Sequence, residues 1–195
     1  MFGPEGKVMT ALDRFWTALA LNLLWLICCF PVITIGAATG AFYETARTRV
    51  LKGDGNLFAT FFKTFQSNFL QATALELLGI VILAVGGLTF SVAYQMGLWM
   101  LYFAILFELL VFLCLFYWSI PLAVRFKNKT LAHVRNGLLM GFGHLWSTLL
   151  LLLMLAVTIW IIYIIFPLIF VLPIAVMLFW VWRVERVLIK RGFVQ

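Results

Sequence analysis

The chain has 195 residues, 65% of them apolar and 11% charged, with 14 lysines and arginines against 7 acidic residues for a formal net charge of +7. Soluble domains average roughly half apolar and a quarter charged, so this composition excludes an ordinary water-soluble fold. The basic residues fall in short groups just outside long apolar runs, which is the pattern of a membrane protein and not of a nucleic-acid-binding surface.

The N-terminus, MFGPEGKVMTALDR, balances Lys7 and Arg14 against Glu5 and Asp13. A cleaved signal peptide needs a net basic start and a short apolar core, so cleavage is not expected. The run from Phe15 to Tyr43 then carries no charge and predicts a first span over 15–37. Pro31 interrupts it. Proline has no amide hydrogen and crowds the carbonyl four residues back, so the helix should break there and leave the Ile27 carbonyl unpaired. The β-branched residues that follow resist helix, and Thr34 is placed to cap a new helix beginning near Ile35. Beyond the break, Gly36 and Gly40 form a GxxxG pair whose small-residue face lets another helix come close. Pro31, Thr34, Gly36 and Gly40 are therefore expected to form a helix break and packing centre, with Asn22 as a polar residue in the same span.

The segment from Glu44 to Lys63 holds Arg47, Arg49 and Lys52, with a Gly53-Asp54-Gly55-Asn56 turn. Asp54 or Asn56 can start an amphipathic helix over 56–69, with Phe58, Phe61, Phe62, Phe65 and Phe69 at helical spacing. Such a helix lies in the membrane surface, and its aromatic stripe reads as a lipid-facing or packing face. From Leu77 to Phe107 the chain is again uncharged and too long for one span; Tyr94-Gln95-Met96-Gly97 is its natural turn, giving spans over 72–93 and 98–124. After Arg125, Lys127 and Lys129, Thr130 opens a second interfacial helix over 130–143. Leu131, Val134, Leu138, Phe142 and Leu145 mark one face, and His133, Arg135 and Asn136 another. The uncharged run from Leu145 to Trp182 would reach about 57 Å as a straight helix, against a hydrocarbon core of about 30 Å. It is expected to fold back at Pro167 and Pro173 into spans over 147–166 and 168–184, with Arg183 and Arg186 snorkelling at the end.

This gives an all-α integral membrane protein forming a single domain over 1–195, with five transmembrane helices, the first broken at Pro31, and two amphipathic interfacial helices. All the basic residues except Lys7 and Arg14 then share one side, so the positive-inside rule places the N-terminus outside and the C-terminus in the cytoplasm. Trp16, Tyr94 and Trp99 fall near the outer boundary, and Tyr43, Trp118, Trp146, Trp180 and Trp182 near the inner one. The stretches 56–127 and 128–191 share a faint parallel repeat of interfacial helix, span, turn and span.

Motifs of enzyme chemistry are missing: there is no Walker loop, no HExxH and no GxSxG. Cys28, Cys29 and Cys114 lie in apolar runs and the two histidines lack neighbouring ligands at suitable spacing, so no metal, cofactor or catalytic residue is expected. Two acidic residues fall inside the spans. Glu76 is expected about one turn inside the cytoplasmic boundary, within reach of the interface. Glu108 falls about 15 Å deep, near the bilayer centre. There it either plugs the break by donating to the Ile27 carbonyl or serves as the proton site of a transporter.

The order Asn22-Leu23-Leu24-Trp25, then Phe30-Pro31-Val32-Ile33-Thr34-Ile35-Gly36-Ala37, resembles the opening signature of the YesL family, small bacterial membrane proteins classed as domain of unknown function 624. The phenylalanine-rich FATFFKTFQSNF segment extends the resemblance, and length and helix count suit it across nearly the whole chain. The resemblance implies a bacterial plasma membrane protein working beside carbohydrate uptake transporters of the ATP-binding-cassette type, and brings no catalytic residues. Two functions are expected: a noncatalytic accessory or interaction protein of carbohydrate uptake or sugar utilisation, or a small secondary or proton-coupled transporter using Glu108 and the Pro31 break. Lipid and transporter subunits are the expected partners, and nucleic acid is not.

Overall fold

Proline decides the first event in the chain. In the computed structural model, which describes residues 7–165 and 172–191, helix α1 (Lys7–Cys28) stops ahead of Pro31, a single 3-10 turn covers Val32–Thr34, and α2 (Ile35–Thr45) starts afresh. The break therefore falls where the missing amide hydrogen requires it. Its polar groups are satisfied differently from expectation. The Ile27 carbonyl accepts from the Phe30 amide at 3.3 Å, so it is not left unpaired. Thr34 precedes α2 but its hydroxyl does not cap it; Oγ1 turns back to lie 2.6 Å from the carbonyls of both Cys28 and Pro31. Helix α1 also begins at Lys7 and not at residue 15, so Asp13 and Arg14 belong to it.

A π-helical turn, Ala46–Leu51, continues α2 and leads through the Gly53–Gly55 turn to α3 (Leu57–Met96). Asn56 caps α3, its side-chain oxygen accepting from the Ala59 amide at 3.2 Å. The expected boundary between an interfacial helix over 56–69 and a span over 72–93 is absent. The 40 residues of α3 are continuous, because Gln66 to Glu76 contains no glycine or proline and nothing interrupts the ladder. At about 1.5 Å per residue this helix is about 60 Å long, roughly twice a hydrocarbon core. It ends at Gly97, whose left-handed φ of 64° lets the Leu98 amide return to the Ala93 carbonyl.

The return helix runs from α4 (Met100–Cys114) through a π-helical turn, Leu115–Ser119, into α5 (Ile120–Arg125). Pro121 accounts for the π turn: it cannot donate to the Tyr117 carbonyl, which instead accepts from the Trp180 indole at 2.9 Å. Helix α6 (Thr130–Gly143) is separate, α7 is Leu145–Ile164, and α8 is Leu172–Lys190. The expected turn at Pro167 and the start of the 168–184 span lie outside the described residues. Pro173 sits in the first turn of α8, where its missing donor costs nothing. The helix continues past 184, with Arg183 donating to Ser147 Oγ at 3.0 Å and Arg186 stacked 4.1 Å over the Trp182 ring.

Among the described residues three helices are long and apolar enough to cross a membrane: Leu57–Met96, Met100–Arg125 and Leu145–Ile164. The core lies between them and α2, where Gly36 to Tyr43 are all buried. Tyr43, Trp118 and Trp180 are part of this core. Trp118 donates to Thr148 Oγ1 at 3.1 Å, and the Tyr43 and Trp180 rings meet edge to face at 5.4 Å.

The buried face of α6 also differs from the apolar stripe read from sequence. Leu131, Leu139 and Phe142 are exposed, whereas His133, Gly137, Met140 and Gly141 turn inward. The reason is close approach. A Cβ on Gly137 would collide with Ser119 Oγ in the π turn, and one on Gly141 with Cys114 Sγ at the end of α4, so only glycines let α6 sit this close.

Candidate functional site at the two ends of the second helix

Helix α2 is short, buried and tied at each end by a carboxylate from a distant helix. At its N-terminus, Gly36 lies so close to α3 that a Cβ there would meet the Ala72 carbonyl oxygen at 2.7 Å and Glu76 Cβ at 2.9 Å. That approach brings Glu76 Oε2 within 2.9 Å of the Gly36 amide, and the Ile35 amide also donates to this carboxyl. A helix N-terminus presents unpaired amides and partial positive charge, so a carboxylate is its natural cap. Glu76 thus does not reach the membrane interface as expected; it is buried and performs the capping that Thr34 does not. One turn further along the helix, a Cβ on Gly40 would meet Val124 Cγ2 at 2.9 Å, so the second glycine of the pair admits α5. Thr39 between them accepts from the Trp25 indole at 3.2 Å, joining α2 to α1 across the break.

At the C-terminal end, Tyr43 donates its phenolic hydrogen to Glu185 Oε1, and Glu185 Oε2 lies 3.7 Å from Arg125 Nη2. All three are buried or nearly so, and they come from α2, α8 and α5. Sequence reading passed over this cluster because Arg125 and the tail read as interfacial charge. The available signal was Glu185 itself, the one acid in the otherwise basic stretch from Arg183 to Arg191.

Glu108 is not brought to the break. Its Oε2 faces α3 at Gly86, where an added Cβ would stand 3.0 Å away, and this buried oxygen has no hydrogen-bond partner. Gly86 lies ten residues beyond Glu76 on α3, about 15 Å along its axis, so the two carboxyls serve different levels of the structure. The expected plug of the Ile27 carbonyl is therefore corrected: Phe30 pairs that carbonyl, and Glu76 holds the amides after Pro31. Asn22 is fully buried on α1.

A largely apolar cavity of about 410 Å³ opens between α1, α2, α4, α7 and α8, with Trp25, Thr39, Phe112, Tyr117, Thr158 and Trp180 among its walls. Among the described residues no group of three or more His, Cys, Asp or Glu side chains is arranged to hold a metal ion. What the two carboxylates achieve is positional: each ties α2 to a partner helix, α3 through Glu76 and α8 through Glu185.

No curated protein and no solved structure matches this sequence. The comparison with protein families does. Residues 18–91, which cover the second half of α1, the break, α2 and most of α3, match the family model described as "Protein of unknown function, DUF624", the domain of unknown function 624 that the YesL family carries.

Proposed function

We propose that the protein is a noncatalytic multi-pass membrane protein that works by associating with another membrane component. The observation that supports this most is the use of its buried charges, since Glu76 ends on the amides of α2 and Glu185 ends on Tyr43 and Arg125. Ionisable groups committed to internal partners maintain one shape, and a fixed shape serves recognition. In the arrangement proposed, the broken α1–α2 unit, α3, the α4–α5 helix, α7 and α8 make five spans of a bacterial plasma membrane protein. The N-terminus lies outside, and the C-terminus, α6 and the Asn56 end of α3 lie on the cytoplasmic side with most of the basic residues. The partner class implied by the family resemblance is a carbohydrate uptake transporter of the ATP-binding-cassette type or the machinery of sugar utilisation; without a Walker loop, this chain would serve it as an accessory subunit.

The test is identification of proteins retained by a tagged copy purified from native membranes in mild detergent. Recovery of transporter membrane subunits is the expected result, and recovery of the chain alone would overturn it. A second reading, a small proton-coupled transporter, is favoured by the buried, unpartnered Oε2 of Glu108. Proton-coupled flux in proteoliposomes that disappears in Glu108→Gln, with thermal stability unchanged, would replace the first reading by the second.

A further inference from the structure

The walls of the apolar cavity of about 410 Å³ take Phe112 from the middle of the Met100–Arg125 helix and Leu155 from the middle of α7, both long and apolar enough to cross a membrane. The medium at that depth is lipid hydrocarbon. Ile159, on the same wall of α7, is 59% exposed, so the cavity opens sideways, toward lipid and not toward water. Among the described residues no charged side chain lines it. The two indole N–H groups on its walls are already used, Trp25 on Thr39 Oγ1 and Trp180 on the Tyr117 carbonyl, so both rings offer carbon surface. What polar side-chain atoms remain there are the hydroxyls of Thr39, Tyr117 and Thr158.

Those walls exclude most classes of ligand. A sugar carries a hydroxyl on nearly every carbon and an ion keeps its charge, so either would give up its water here without finding partners. An empty space is also unfavourable, since an apolar void of about 150 Å³ already takes up benzene or xenon and this cavity is more than twice that size. We infer that the cavity holds one acyl chain of a membrane phospholipid, drawn in from the bilayer past Ile159. Acyl chains are the bulk component at that depth, and a chain laid between α1, α4, α7 and α8 supplies the contacts that no side chain makes across the space. The site needs no partner subunit, so it stands or falls separately from the association proposed above.

The full chain, purified from native membranes in mild detergent and washed free of loosely held lipid, is examined by native mass spectrometry. A single bound phospholipid should survive the wash. Thr158→Phe and Val176→Phe place a ring in the cavity from α7 and from α8 and should each lower that occupancy roughly tenfold, whereas Leu153→Phe adds bulk on the outward face of α7 and should leave it within about twofold. Added phosphatidylglycerol should raise the melting temperature of the parent and of Leu153→Phe but not of the two filled variants. A second measurement needs no variant: phosphatidylglycerol carrying a diazirine at mid-chain is photolysed with the parent, and the labelled residues are mapped. Label at Thr39, Phe116 and Met177 supports the site. Label confined to outward residues such as Leu153 and Trp160, equal occupancy in all the variants, or retention of an isoprenoid quinone in place of phospholipid would overturn the inference.

Discussion

Residues 57–69 run straight on into the apolar half of α3, whereas α6 stops at Gly143 and α7 starts afresh at Leu145. Both stretches carry the same kind of pattern, a polar or basic start followed by apolar residues at helical spacing and then a long apolar run. The difference lies in what joins the two parts. Between Gln66 and Glu76 every residue has an amide hydrogen and an ordinary side chain, so the ladder continues. At the second site Gly141 and Gly143 lead to His144, whose φ of −131° and ψ of 44° leave the helix, with its Nδ1 3.1 Å from the Met140 carbonyl. A change from polar to apolar composition does not end a helix; a break in backbone hydrogen bonding does.

The largest effect should come from forcing the first stretch to behave like the second. Leu70→Pro changes an exposed side chain in mid-α3 and removes one ladder bond, so it should cost about 3 kcal/mol and lower the detergent melting temperature sharply. A small shift would mean that the helix is already interrupted there. The close approach of α6 comes next. Gly141→Leu, driven into Cys114, should cost about 1–3 kcal/mol by overpacking, read as a fall in melting temperature. An unchanged value would show that α6 does not rest on the Cys114 end of α4.

Glu76→Leu should also cost about 1–3 kcal/mol, because the Gly36 and Ile35 amides lose their acceptor, while Glu76→Gln keeps a side-chain oxygen and should lose less. Equal loss in the two variants, or none in either, would remove Glu76 as the cap of α2. The smallest effect belongs to Leu145→Pro. Residue 145 is the first of α7 and follows a non-helical His144, so proline there should change stability by about 1 kcal/mol or less. A loss matching that of Leu70→Pro would erase the distinction between the two junctions.

Much of the fold was legible because single residues force it. Pro31 ends α1, Gly97 turns α3 into α4, Asn56 caps α3, and the Gly36 and Gly40 pair admits α3 and α5. Other features depend on which distant group arrives. Thr34 has the chemistry of a cap, yet its hydroxyl turns back once Glu76, forty positions away, occupies the amides of α2. Glu108 looked like the partner of the break by depth alone, but depth does not say which helix face an acid occupies. The Tyr43, Glu185 and Arg125 cluster joins three helices that no spacing rule connects. Pro121 was legible in principle, since a proline late in a span frees the carbonyl four residues back, and here that carbonyl recruits Trp180.

The continuity of α3 matters most, because α2 is capped from it, α4 packs along it at Gly79 and Gly86, and its length carries the Phe58 end clear of a hydrocarbon core. Nitroxide labels at Phe58 and Phe90, both exposed, measure it directly by pulsed electron–electron distance spectroscopy in nanodiscs. A single rod gives about 48 Å between the two backbone positions. A separate surface helix turned at right angles near Leu70 would give about 35 Å, and that result would contradict the account.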